Sequence, residues 1–150
     1  MYDEVELRKA LRARLQTASG LPSSSNFAWE NRVFVPPSHD STAPVDAVVW
    51  LRENLRTLSE SKSSNGFVET IGEYLISVFT AKGRGTNAAD TLVKSIATQF
   101  APGQSLTGTD IAIALERTSR SEYRASDEHP AWVFKVVTVR WRVFTPSTTN

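Results

Sequence analysis

The residues best equipped for chemistry lie in one short stretch, Lys82-Gly83-Arg84-Gly85-Thr86, where two cations alternate with two glycines just ahead of a segment of helical pattern. The glycines permit positive φ, and the free N–H groups of a helix start favour anions. Lys82, Gly83, Arg84 and Gly85 therefore have the makings of an anion cradle. It is not a Walker A loop, which sets four residues between its glycines and follows the second with Lys and then Ser or Thr. The competing reading is an exposed strand-to-helix turn whose cations are merely solvated. Thr86 or Asn87 is placed to cap the helix by accepting a bond from a free N–H.

An enzyme needs a nucleophile with a base, a carboxylate pair or a metal. The chain offers two histidines, in His39-Asp40 and in Asp127-Glu128-His129, and no further ligand set of suitable spacing. His39 reads as a surface histidine, and the second cluster as a device that keeps a loop solvated. With no cysteine there is neither disulfide nor thiolate chemistry, which suits a reducing cytoplasm. The expectation is a protein without enzymatic activity, metal or cofactor. Seventeen Lys and Arg against sixteen Asp and Glu leave a net charge of +1, which argues against a dedicated nucleic-acid binder but permits a local basic patch.

The elements that must position these residues follow from pattern. Residues 71–81 are apolar at both parities, with Tyr74, Ile76, Val78 and Thr80 on one and Leu75, Ser77, Phe79 and Ala81 on the other. They predict a central strand covered on both sides. Residues 87–100 place Ala89, Leu92, Val93, Ile96 and Phe100 on one helical stripe, and Pro102-Gly103 ends it. At the N-terminus, Asp3 and Glu6 resemble a capping box, and Leu7, Leu11, Leu15 and Ala18 recur at helical spacing. Arg8, Lys9, Arg12 and Arg14 form the outer face of that helix, read as solvated, with a nucleic acid or acidic partner as the alternative.

Residues 27–35 are aromatic and β-branched and read as a first strand closed by Pro36-Pro37. Residues 47–58 fit helix or strand by periodicity. Strand is chosen because the polar loop 59–66, ending Asn65-Gly66, lets the chain return as a hairpin through residues 67–81. Gly72 in that return strand suggests a bulge or bend. Residues 111–116 alternate as a further strand, residues 118–130 read as a long polar loop, and residues 132–144 read as a long strand whose second face turns from apolar to basic. The expected core is Leu11, Leu15, Trp29, Ile76, Val78, Leu92, Ile96, Ile113, Val139 and Trp141. The fold class is α+β, a mixed and mainly antiparallel sheet packed by two helices, in one domain over 1–146 with a frayed tail at 147–150. No apolar run approaches the ~20 residues of a membrane span, no repeat is visible, and the charged start lacks a signal-peptide core. A soluble intracellular chain without membrane contact is expected.

The order of these segments is recognisable: the N-terminal helix, Phe27-Ala28-Trp29-Glu30-Asn31 closing in Phe34-Val35-Pro36, and the Gly72-Glu-Tyr-Leu-Ile-Ser-Val-Phe strand. Then come the Lys82-Gly-Arg-Gly-Thr turn, Phe100-Ala-Pro-Gly, and a last strand carrying Val139-Arg-Trp-Arg. Together they resemble the tail terminator or tail completion proteins of long-tailed bacteriophages, over nearly the whole chain. The resemblance implies a structural virion protein at the head-proximal end of the tail, present in the host cytoplasm during assembly. It implies a homo-oligomeric ring, commonly a hexamer, that caps the tail tube, halts its polymerisation and offers a docking surface to the head-tail connector. It brings no catalytic residues. On this reading Ser61, Lys62 and Asn65 of one loop and Arg120, Tyr123 and Arg124 of another become candidate subunit or tube contacts. The 82–85 turn becomes a candidate docking surface or a channel lining in loose, non-specific contact with passing DNA. Another connector, neck or tube subunit, or a small nucleic-acid-binding module, is the alternative.

Overall fold

The computed structural model describes residues 4–23, 26–37, 49–62, 66–83, 85–108 and 111–146. In chain order the elements are α1 (Glu4–Leu15), β1 (Phe27–Ala28), β2 (Val49–Lys62), β3 (Phe67–Ala81), α2 (Asn87–Gln99), β4 (Ser105–Gly108), β5 (Ile111–Arg120), β6 (Arg124–Ala125) and β7 (Trp132–Pro146). The main path of the sheet runs β1-β2-β3-β7-β5-β4, with β6 paired to β7. Only β1 and β2 are parallel, so the fold is α+β with a mixed, mainly antiparallel sheet. The last strand thus enters the middle of the sheet, between β3 and β5.

Both helices lie on one face. Leu7, Leu11 and Leu15 of α1 and Ala89, Leu92, Val93 and Ile96 of α2 bury against Leu51, Leu55, Tyr74, Ile76, Val78, Ile113, Leu115, Val137, Val139, Trp141 and Val143. The period-2 pleat puts the remaining residues on the other face. There a smaller cluster of Ala28, Trp50, Phe79, Ala81 and Trp132, joined by Phe34 and Phe134, covers one end. The two-sided burial expected of residues 71–81 is thus real where the smaller cluster lies, from Ser77 to Ala81. Elsewhere no helix among the described residues covers the second face of the sheet. Among the described residues no helix is long and apolar enough to cross a membrane.

Several expectations need correction. The first strand is two residues long rather than spanning 27–35, because the chain turns at Trp29, where Arg32 N–H donates to the Trp29 carbonyl (3.2 Å) and Asn31 takes φ 62°. Glu30 is drawn to Arg8, and Phe34 folds onto Trp50. Trp29 is accordingly only half-buried, stacked on Phe27 at 4.8 Å. The two long loops are shorter than expected: β2 runs to Lys62, β5 runs to Arg120, and residues 124–125 form β6. Polar composition misled there because these strand ends are exposed on both faces. Strand β4 was not foreseen; four residues after Pro102-Gly103 carry too little periodicity to register. Residues 49–58 are strand, as chosen. Asp3, the His39-Asp40 pair and the 147–150 tail lie outside the described residues.

Gly72 shows why sequence and packing must agree. It stands opposite Trp141 on β7 and Thr57 on β2, and β2 shifts register between Thr57 and Ser59. A side-chain carbon built on Gly72 would overlap the buried Trp141 ring and the backbone carbonyl of Arg56. Gly72→Ala should therefore destabilise the protein by about 1–3 kcal/mol through overpacking, as read from urea melts at unchanged m-value.

Candidate functional site

The strand-turn-helix element behaves locally as its glycines dictate. Gly83 (φ 77°) and Gly85 (φ 87°) both take left-handed backbone, which only glycine adopts at no steric cost. Nothing lies within 4 Å of a carbon built on Gly83, so conformation and not crowding selects it. Lys82 is exposed, and its N–H donates to the Ala131 carbonyl at 2.9 Å, which ties the turn to the entry of β7. Arg84 lies outside the described residues.

The helix start beside this turn is organised differently from expectation. Thr86 occupies the N-cap position but makes no side-chain cap; its hydroxyl donates instead to Asp90 Oδ2 at 3.0 Å. Asp90 Oδ1 accepts a bond from the Tyr123 hydroxyl at 2.6 Å and lies 3.8 Å from Lys135 Nζ, which itself sits 4.8 Å above the Tyr123 ring. The Tyr123 hydrogen bond holds the Asp90 carboxyl below its ordinary value; burial opposes it, and the Thr86 hydrogen bond and the charge of Lys135 add to the lowering. A carboxylate of the chain itself already answers the positive end of α2. Tyr123 is thereby a clamp between α2, the β5-β6 connection and β7.

Of the other candidate contact residues, Ser61 and Lys62 end strand β2, and Arg120 ends β5. Arg124 lies in β6, and all four are exposed. Asn65 lies outside the described residues. The cations of α1 are not the solvated face expected. Arg8 pairs with Glu30 and with Glu4 (3.0 Å), and Arg12 with Glu53. Arg14 donates to the Gln99 carbonyl at 2.7 Å and to the Gln104 side chain, satisfying the C-terminal end of α2. Lys9 remains exposed, 3.8 Å from Glu6.

Glu53 organises this network and was missed. It is 4% exposed, on the helix side of β2, and it accepts bonds from Arg12, from the buried Tyr74 hydroxyl and from Glu30 N–H (3.3 Å). Burial first and then the Glu53 charge push the Tyr74 hydroxyl pKa well above its usual range. A single polar residue at a core-parity position of an apolar strand was the available signal.

On the helix-free face, a groove of about 610 Å³ is lined by Trp29, Asn31, Trp50, Arg52, His129 and Phe134 among others. His129 stands edge-on to Trp50 (5.2 Å) and Phe79 (6.2 Å), packed rather than merely solvating a loop. Among the described residues no group of three or more metal-ligating side chains is close enough to hold a metal.

A family model described as phage tail terminator protein matches residues 6–141. None of the curated proteins matches the chain. The fold is similar to that of a solved structure of a protein without a descriptive name, at TM-score 0.67 and 18% identity over 95% of this chain and 96% of that one. It is also similar to a chain in the virion of a native gene transfer agent particle, at TM-score 0.63 and 14% identity over 93% and 96%.

The Asp90 clamp has a pH signature. A depressed carboxyl pKa contributes stability above the unfolded value near 3.9, and that contribution is lost as pH falls through the folded value. Tyr123→Phe should raise the Asp90 pKa toward the ordinary value in a carboxyl NMR titration. Its destabilisation relative to wild type should be fully present at neutral pH and shrink below about pH 4.

Proposed function

Because the chain belongs to the phage tail terminator protein family, whose members are structural proteins of the phage tail, we propose that its copies close into a ring, a hexamer, on the finished tail tube. The ring stops tube polymerisation and presents the surface to which the head-tail connector joins. The observation that carries this reading is the family match over residues 6–141. The fold shared with a chain of a gene transfer agent virion supports a place in the particle. Its position is the head-proximal end of the tail, reached from the host cytoplasm during assembly.

A ring needs a heterologous contact that closes, and β2 offers a free edge for one. Among the described residues β1 pairs only with Leu51 and Arg52, and no other strand lies on the outer edge of β2. Ser61, Lys62, Asn65, Arg120, Tyr123 and Arg124 are the contact residues in this reading. Lys82 and Arg84 repeat around the ring as a circle of cations, facing either a docking partner or the DNA that passes through. The nucleic-acid-module reading loses one of its two surfaces, the face of α1, because Arg8, Arg12 and Arg14 are engaged within the molecule.

Light scattering across a wide concentration range, with purified tail tubes in a parallel sample, should show concentration-dependent association and capture on tube ends. A strict monomer that also ignores tubes would overturn the assignment. Lys82→Ser with Arg84→Ser should change stability by less than about 0.5 kcal/mol, since exposed turn charges contribute little. It should nevertheless lower the yield of infectious particles when it complements a terminator-deficient phage; normal titres would remove both residues from the functional surface.

A further inference from the structure

In strands β2, β5 and β7, five arginines stand on the face away from the helices, and three have partners. Arg52 meets Glu128 (3.5 Å), Arg56 meets Glu73 (3.3 Å), and Arg142 meets Glu69 (3.0 Å) and Glu116 (2.6 Å). The remaining two, Arg117 and Arg140, are exposed and directly opposite each other across β5 and β7. No carboxylate among the described residues pairs with either: Glu73, opposite Arg140 on β3, is turned to Arg56. Like charges directly opposite in a sheet repel and lower stability.

This juxtaposition is built by the backbone. In β5, Ile111, Ile113 and Leu115 point to the helices, and strict alternation would send Arg117 after them. The register shifts between Leu115 and Arg117, and the extra residue, Glu116, is taken up by Arg142. The bulge thus re-aims Arg117 onto the bare face beside Arg140. Further along the same face of β7 stands Phe144, 48% exposed, beneath the Arg142 guanidinium (5.9 Å), with Ala112 opposite it. Aromatic and arginine side chains on a flat surface are the composition of a protein interface core and rim.

We infer that this face docks an acidic protein surface, with an Asp or Glu carboxylate bridging Arg117 and Arg140 and an apolar contact over Phe144. On the function proposed above, on which this rests, the partner is the end of the tail tube. The charges favour a different protein over a second copy. Among the described residues, the exposed carboxylates outside ion pairs, Glu60, Glu122 and Asp127, stand on separate stretches and form no acidic patch to match. They also favour protein over nucleic acid, because Glu69, Glu73 and Glu116 flank the two free arginines and would repel a run of phosphates.

Arg117→Glu tests this without endangering the fold, since it sets a carboxylate opposite Arg140 and replaces repulsion by a cross-strand pair. Thermal stability should hold or rise while capture of purified tail tubes, read by co-sedimentation, falls at least tenfold; Arg117→Lys should retain most of it. Equal capture by wild type and Arg117→Glu would overturn the inference and leave the proposed function standing. So would a variant that loses self-association but keeps tube capture, which would make the occupant a second copy. Loss confined to binding of a duplex DNA fragment would equally overturn it. A wild type that does not capture tubes at all would overturn the proposed function, and this partner with it.

Discussion

Fifteen residues of β3 lie against fifteen of β7 in unbroken register, from Phe67 opposite Pro146 to Ala81 opposite Trp132. In that register Trp141 meets the one position, Gly72, with no side chain to obstruct it, and Tyr74, Ile76 and Val78 share a face with Val137, Val139 and Val143. A slip of one residue would turn both strands inside out. Because this pairing decides which face is apolar, it also decides where the helices sit and which arginines are left to solvent. The polar rows of the outer face are the other half of the same constraint.

The charges of this nearly neutral chain have been sorted into separate uses. Arg8 and Arg12 of α1 are turned inward to Glu30 and the buried Glu53, where a carboxylate deprived of a partner would be strongly destabilising. Arg14 closes the end of α2, and Lys135 with Asp90 and Tyr123 closes its beginning. Both termini of α2 are thus tied to other elements by side chains, which fixes the helix along its axis as the apolar stripe fixes it across the sheet. Lys82, Arg117, Arg120, Arg124 and Arg140 are among the cations that remain exposed.

How much of this could be read beforehand depends on whether a residue's environment is local. The two helices, the β2-β3 hairpin and the last strand follow from period and from Gly and Pro punctuation, and the structure has them where the pattern lay. The ends of β2 and β5 were misread as loop because Ser, Glu, Lys and Arg fill strand positions whose faces are open. The first strand was overextended because its alternation continues through Val33, Phe34 and Val35, although Val33 and Val35 are exposed. The 82–85 turn was legible as geometry through its glycines. The placement of Arg117 was not, since its face is set by a register shift at Glu116 that depends on a partner strand twenty residues away in sequence and more. The Glu53 network was hidden for the same reason: its members come from α1, the segment after β1, β2 and β3.

The position of β7 bears on how the protein is made. The strand that joins the β1-β2-β3 part of the sheet to the β5-β4 part is made after all the other described strands. Until it emerges, the inner edges of β3 and β5 have no partner, and the apolar row of Tyr74, Ile76 and Val78 lacks half its cover. A nascent chain therefore holds two incomplete pieces of sheet, and a prematurely ended translation product cannot complete the surface formed by β5 and β7 together. The sheet becomes continuous only once β7 lies between its two parts.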